Sequence, residues 1–132
     1  MTLDELRDCG EQIRLAINHD LQLTLDYDAY TVEWIDGYIF RNQDVFSAEK
    51  RYGWALALGY ILGESMVQVY GGRWVQDEQY EDEWLVELPR GIGRANPIGK
   101  AEKCLVDPSD SIFSFFRIAG VPIERGGFDK IG

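Results

Sequence analysis

Glu64 is the one charged residue between Arg51 and Arg73, in the run "YGWALALGYILGESMVQVYGG". A carboxylate in apolar surroundings can act as a general acid or base, and a second one, Asp36 or Glu33, packed beside it would raise the pKa of both. The competing reading pairs Glu64 with Lys100 or a backbone donor. Arg90, Arg94, Lys100 and Lys103 gather around Asn96-Pro97, a helix start whose free amides favour anions; a solvated basic face is the favoured reading, and a small phosphate or carboxylate ligand is the alternative. A pocket using Glu64, Trp74, Asn96 and Lys100 would serve an enzyme or a small-ligand binder. The most distinctive surface stretch is "DEQYEDEW", where Asp77, Glu78, Glu81, Asp82 and Glu83 surround Tyr80 and Glu87 follows. It reads either as a solvated loop tip or as a docking surface for a basic protein, with carboxylates that speed encounter and an aromatic contact at the centre.

Other chemistries lack their residues. One histidine, His19, and two isolated cysteines, Cys9 and Cys104, offer no nitrogen and sulfur ligand set, so no metal is expected. No GxSxG or GxxxxGK[ST] occurs, and "GIGRAN" lacks the third glycine of a dinucleotide loop, so no catalytic residue and no cofactor is assigned. The 13 basic and 23 acidic residues leave a net charge of −10, which repels phosphate backbones and anionic lipid and excludes nucleic acid and membrane as expected partners. A homo-oligomer is left open. The charge is uneven, because residues 91–132 carry 6 bases and 5 acids. The acidic start "MTLDELRDCGEQIR" has neither the basic residues nor the apolar run of a secretory signal, so the expected location is cytoplasmic, with both thiols reduced.

These residues need elements to hold them. Thr2 and Glu5 have capping-box spacing before a helix over residues 3–18, and Leu21, Leu23, Leu25 and Tyr27 then alternate as a short strand or extended segment. Asp28 caps a helix over 29–42 with Val32, Ile35 and Ile39 inward and Glu33, Asp36 and Arg41 away from that face. Ser47 is the expected cap of a long central helix over 47–70, ended by Gly71-Gly72. Its small residues Ala55, Gly59 and Gly63 recur at steps of four, which lets another backbone come close, while Glu64 falls in a row with Tyr60 and Gln68, off the Leu58/Leu62/Met66 stripe. "RWVQD" and "EWLVELP" form a hairpin with "GIGRA" as a brief third strand. Asn96-Pro97 starts a helix with Ile98, Ala101 and Leu105 inward and Lys100 and Lys103 outward. A last helix begins near 107–110 and stops at Gly120, with Pro122 beyond. The expected fold is a single α+β domain over 1–132, with about five helices on a small antiparallel hairpin or three-stranded sheet.

The motifs "EWIDGYI", "LGxxLGE", "YGGxW", "NPxxKxxK" and "DSxxSFF", in that order over about residues 27–118, resemble a family of small bacterial stand-alone domains of unknown function. The resemblance implies an α+β domain and draws attention to Gly63, Glu64, Gly72, Trp74, Pro97 and Lys100, but brings no established activity. The expectation is a non-enzymatic acidic module that binds a basic protein through residues 77–83. An immunity-type inhibitor, whose carboxylates stand in for phosphates in the active site of a toxin or nuclease, is its concrete form. The pocket built on Glu64, Trp74, Asn96 and Lys100 is the alternative.

Overall fold

Thr2 starts the chain's first helix with the reciprocal bonds its spacing predicts: its hydroxyl accepts the Glu5 amide at 3.1 Å, and the Glu5 carboxylate accepts the Thr2 amide at 3.0 Å. The computed structural model describes residues 1–80 and 83–125. Helix α1 (Leu3–Leu21) outruns its expected end at Asn18 and stops where Gln22 turns left-handed at φ 56°. The alternating leucines that follow form no strand. The Leu25 amide donates to Asn18 Oδ1 at 2.8 Å, and its carbonyl accepts from Asn18 Nδ2 at 3.0 Å and Arg14 Nη1 at 2.6 Å. Side chains of α1 thus satisfy the backbone that a neighbouring strand would otherwise have to pair, while Leu25 itself is buried.

Asp28 accepts the Thr31 amide at 2.8 Å and opens α2 (Ala29–Arg41), which buries Val32, Ile35 and Ile39 as expected. Helix α3 (Arg51–Tyr70) starts four residues later than the sequence suggested. Ser47 does not cap it; the Ser47 carbonyl instead accepts the Lys50 amide at 3.0 Å in a preceding turn. Gly71, at φ 77°, ends the helix in the left-handed region that glycine enters without a Cβ penalty.

Strands β1 (Arg73–Asp77), β2 (Glu83–Leu88) and β3 (Gly93–Ala95) form one antiparallel sheet in that order, with Trp74 opposite Val86 and Val86 opposite Ala95. Helix α4 (Pro97–Val106) begins where Asn96 Oδ1 accepts the Gly99 amide at 2.9 Å, and Ile98, Ala101 and Leu105 are buried. Helix α5 (Ile112–Glu124) is capped by Ser111, whose hydroxyl accepts the Ser114 amide at 3.0 Å, so it starts later than residues 107–110. It also continues through Pro122, contrary to expectation. Pro122 lies in the last turn of the helix, and Gly120 is there for packing, since a Cβ on it would collide with the Tyr70 ring. The described residues thus give the α+β arrangement of five helices and a three-stranded sheet.

Helix α3 is the centre, contacting every other helix and the sheet. Leu58, Leu62 and Met66 are fully buried, each contributing about 1.5–3 kcal/mol. The glycines divide by role. A Cβ on Gly59 would lie 2.6 Å from the Ile98 Cα on α4, and one on Gly63 would meet the Trp74 ring and, at 2.9 Å, Pro97 Cγ. Gly53 faces open space, so close packing does not extend to the start of the helix. Gly59→Ala is therefore expected to destabilise the fold by about 1–3 kcal/mol through overpacking against backbone. Gly53→Ala should stabilise it by about 0.5 kcal/mol through helix propensity. Urea unfolding of the two variants checks the opposite signs.

Candidate functional site

The turn of α3 sets Tyr60, Glu64 and Gln68 in one row, and the chain's return after Gly71 lays β1 across them. The Trp74 ring sits over Gly63 and stacks on Tyr60, with centroids 5.6 Å apart and planes 3° from parallel. Its indole N–H donates to Glu64 Oε2 at 3.0 Å, and Gln68 Nε2 donates to Glu64 Oε1 at 3.1 Å. Tyr60 meets Tyr27 edge-on at 5.8 Å, and the Tyr27 hydroxyl donates to Glu11 while Arg14 lies 4.8 Å over the Tyr27 ring. Burial pushes the Tyr60 hydroxyl above its ordinary pKa, and the Arg7 guanidinium beside it pulls in the opposite direction. Both oxygens of Glu64 therefore hold donors, and the carboxylate fastens the hairpin to the central helix.

The other members of the expected pocket are engaged elsewhere. Asn96 caps α4 and donates to Glu83 Oε1 at 3.0 Å. Lys100 is not outward as expected: its side chain is 17% exposed, it pairs with Asp110 and its ammonium lies 5.6 Å from the Phe115 ring centre. Lys103 is exposed. Glu64 pairs with neither Lys100 nor a backbone donor. Of the four residues, only Glu64 and Trp74 bond to each other.

Asp36, expected on the outer side of α2, is half-buried and reaches α5. Its Oδ2 accepts the Ser111 hydroxyl at 2.8 Å and its Oδ1 accepts the Ile112 amide at 3.0 Å, supplying an anion where a helix N-terminus favours one. Asp36 thus does not pair with Glu64, and Glu33 is exposed. The motif residues instead pair among themselves, Glu64 with Trp74, Asp36 with Ser111 and Lys100 with Asp110. Sequence spacing missed these long-range links, although a helix opening at Asp110-Ser111 signals the need for a capping partner.

Cys104 lies 3.9 Å from Asp36. Burial first, and the Asp36 charge second, push its thiol up to about 11.

Among the described residues, the acids of the hairpin divide into braced ones and Glu78. Across the outer face of the sheet, Glu87 lies between Arg73 at 2.8 Å and Arg94 at 3.2 Å, and these hydrogen-bonded guanidinium groups hold its carboxyl below the usual range. Asp77, with a side chain 16% exposed, accepts the Gln79 amide at 3.0 Å and faces Arg94 at 3.9 Å. Arg94 and Lys100 are thus paired with acids instead of being left for the small anion that is the alternative reading of Arg90, Arg94, Lys100 and Lys103. Glu83 accepts from Asn96. Glu78, at the start of the 3-10 turn Glu78–Tyr80, is exposed and has no hydrogen bond or ion pair among the described residues. Tyr80 closes that turn, and Glu81 and Asp82 lie outside the described residues.

Among the described residues, no group of three or more His, Cys, Asp or Glu could hold a metal ion, and no helix is long and apolar enough to cross a membrane. Compared with family models, curated proteins and solved structures, the chain matches none.

Two outcomes follow from these bonds. Trp74→Phe keeps the stacking on Tyr60 but strips Glu64 of its indole donor, and is expected to cost about 1–3 kcal/mol in urea unfolding, with Glu64→Gln costing less because an amide oxygen still accepts. For Cys104, a folded pKa raised to about 11 means the folded state holds its proton more tightly than the unfolded chain. The associated stability is complete below the ordinary pKa of 9.0 and lost as pH rises towards 11. Cys104→Ala should flatten the loss of stability over that alkaline window, measured by unfolding at stepped pH.

Proposed function

We propose that the protein is a non-enzymatic binding module that docks a basic protein partner through the tip of its acidic hairpin. The observation that carries this reading is the division of the acids: Asp77, Glu83 and Glu87 brace the hairpin, whereas Glu78 projects into solvent beside Tyr80, Glu81 and Asp82 in sequence. Bracing of Asp77, Glu83 and Glu87 leaves Glu78 as the free acid of the described hairpin residues, and clustered carboxylates speed encounter with a cationic surface. The anchoring extends further, because the Trp84 indole donates to the Met1 carbonyl at 2.9 Å and ties β2 to the start of α1.

The alternative pocket has weaker support. Its four residues already hold partners in three separate arrangements: Glu64 with Trp74, Asn96 with Glu83, and Lys100 with Asp110. An immunity-type inhibitor is the concrete form of the favoured reading, with Glu78, Glu81 and Asp82 replacing phosphates in the cationic active site of a bacterial toxin or nuclease.

The test uses a basic protein encoded beside this one. Binding is expected to weaken about tenfold or more in the triple variant Glu78→Lys, Glu81→Lys, Asp82→Lys and to fall with added salt, measured by titration calorimetry. Affinity that is indifferent to both would overturn the acidic-tip reading. Asp77 is left intact, because its reversal would also break the bond to the Gln79 amide and confuse docking with folding.

A further inference from the structure

The cleft between the end of α3, the start of α2 and the outer face of α5 has a volume of about 540 Å³. Its apolar walls include Val69, Phe113 and Val121. Ile118 is 69% exposed, Val69 46% and Val121 38%, a concentration of exposed aliphatic surface where α5 meets α3. Two charges flank it: Arg117, whose guanidinium lies 5.8 Å from the Phe113 ring centre, and Glu124. Neither has an ion pair among the described residues, and both line the cleft with Tyr70, whose hydroxyl donates to the Phe116 carbonyl at 2.9 Å.

We infer that this face is a two-fold homodimer interface, with α5 of one copy antiparallel to α5 of its partner. Arg117, Val121 and Glu124 stand at i, i+4 and i+7 and so share one stripe of the helix. An antiparallel pairing centred between Gly120 and Val121 puts Arg117 opposite the partner's Glu124, and symmetry makes the same bond twice. The surface is therefore self-complementary in charge as well as apolar, which is what an isologous contact requires. Charge is compatible with the same face. A chain of net charge −10 repels its own copies, whereas α5 carries one base, Arg117, and one acid, Glu124, and so has no net charge of its own.

Sedimentation equilibrium and light scattering of the full chain over a hundredfold range of concentration test the assignment. The wild type is expected to reach the mass of a dimer. Arg117→Glu and Glu124→Arg, each of which sets like charges together, should raise the dissociation constant about tenfold or more, and the combined swap should restore association because it rebuilds the pair in reverse. Ile118→Asp should abolish the dimer while leaving the circular dichroism spectrum unchanged, since this side chain is exposed in the monomer. A wild type that stays monomeric throughout leaves the face to some other occupant and overturns the inference. So does a dimer that both single charge reversals leave intact.

Discussion

The structure depends on how near α4 and β1 come to α3, and that distance is set by two missing Cβ atoms. Gly59 admits the Ile98 backbone and Gly63 admits the Trp74 ring and Pro97. Each glycine costs about 1 kcal/mol of helix propensity relative to alanine. Against that cost stands the burial of Ile98, Ala101, Cys104 and Leu105 along the α4 seam and of Val86 and Leu88 on the sheet. The consequences run outward from the seam. Only with Trp74 resting on Gly63 does its indole reach Glu64. Only with α4 seated on α3 does Lys100 stand beside Asp110 at the approach to α5.

Acidic residues have two physical roles in this chain. Asp28, Asp36, Glu64, Asp77 and Glu83 accept hydrogen bonds that start helices, hold an indole or brace a turn, so they act locally and their removal would leave donors unpaired. Glu87 bridges two guanidinium groups in a ladder across the three strands. Glu78 has neither role among the described residues. Like the exposed Asp8, Glu33, Asp44, Glu49 and Glu102, it is a solvated carboxylate that adds to the self-repulsion of a chain of net charge −10.

Much of the architecture was legible in the sequence because local rules determine it. The capping box at Thr2 and Glu5, the Asp28 and Asn96 caps, the Gly71 stop and the three strands all rest on neighbours a few residues apart. What was misread depends on distant partners. Asp36 looked outward by helical periodicity on α2, yet α5 packs against that helix and presents Ser111 and the Ile112 amide to it. Lys100 looked solvated until Asp110 met it. Pro122 looked like a helix stop, but the helix passes through it into its last turn. Leu25 alternated like a strand residue, but its backbone bonds to Asn18 and Arg14, which no periodicity anticipates. The candidate site was half legible: the row Tyr60, Glu64 and Gln68 followed from helical geometry, whereas its closure by Trp74 needed the β1 crossing.

The closure of Glu64 bears on what a motif signifies in a chain of this kind. An isolated acid in an apolar helix invites a catalytic reading, because a desolvated carboxylate is a strong base. Here the same position serves a geometric need: the Trp74 indole carries one donor, its ring lies over a glycine, and a donor buried without an acceptor would cost about 1–3 kcal/mol. Glu64 is the acceptor within reach, and Gln68 occupies its other oxygen. Asp36 meets a comparable need at the amide end of α5, and Asp110 meets it at the Lys100 ammonium. Three sequence features that suggested chemistry are thus joints between elements remote in sequence. Glu78 in the hairpin turn and the aliphatic stripe of α5 stand outside these joints.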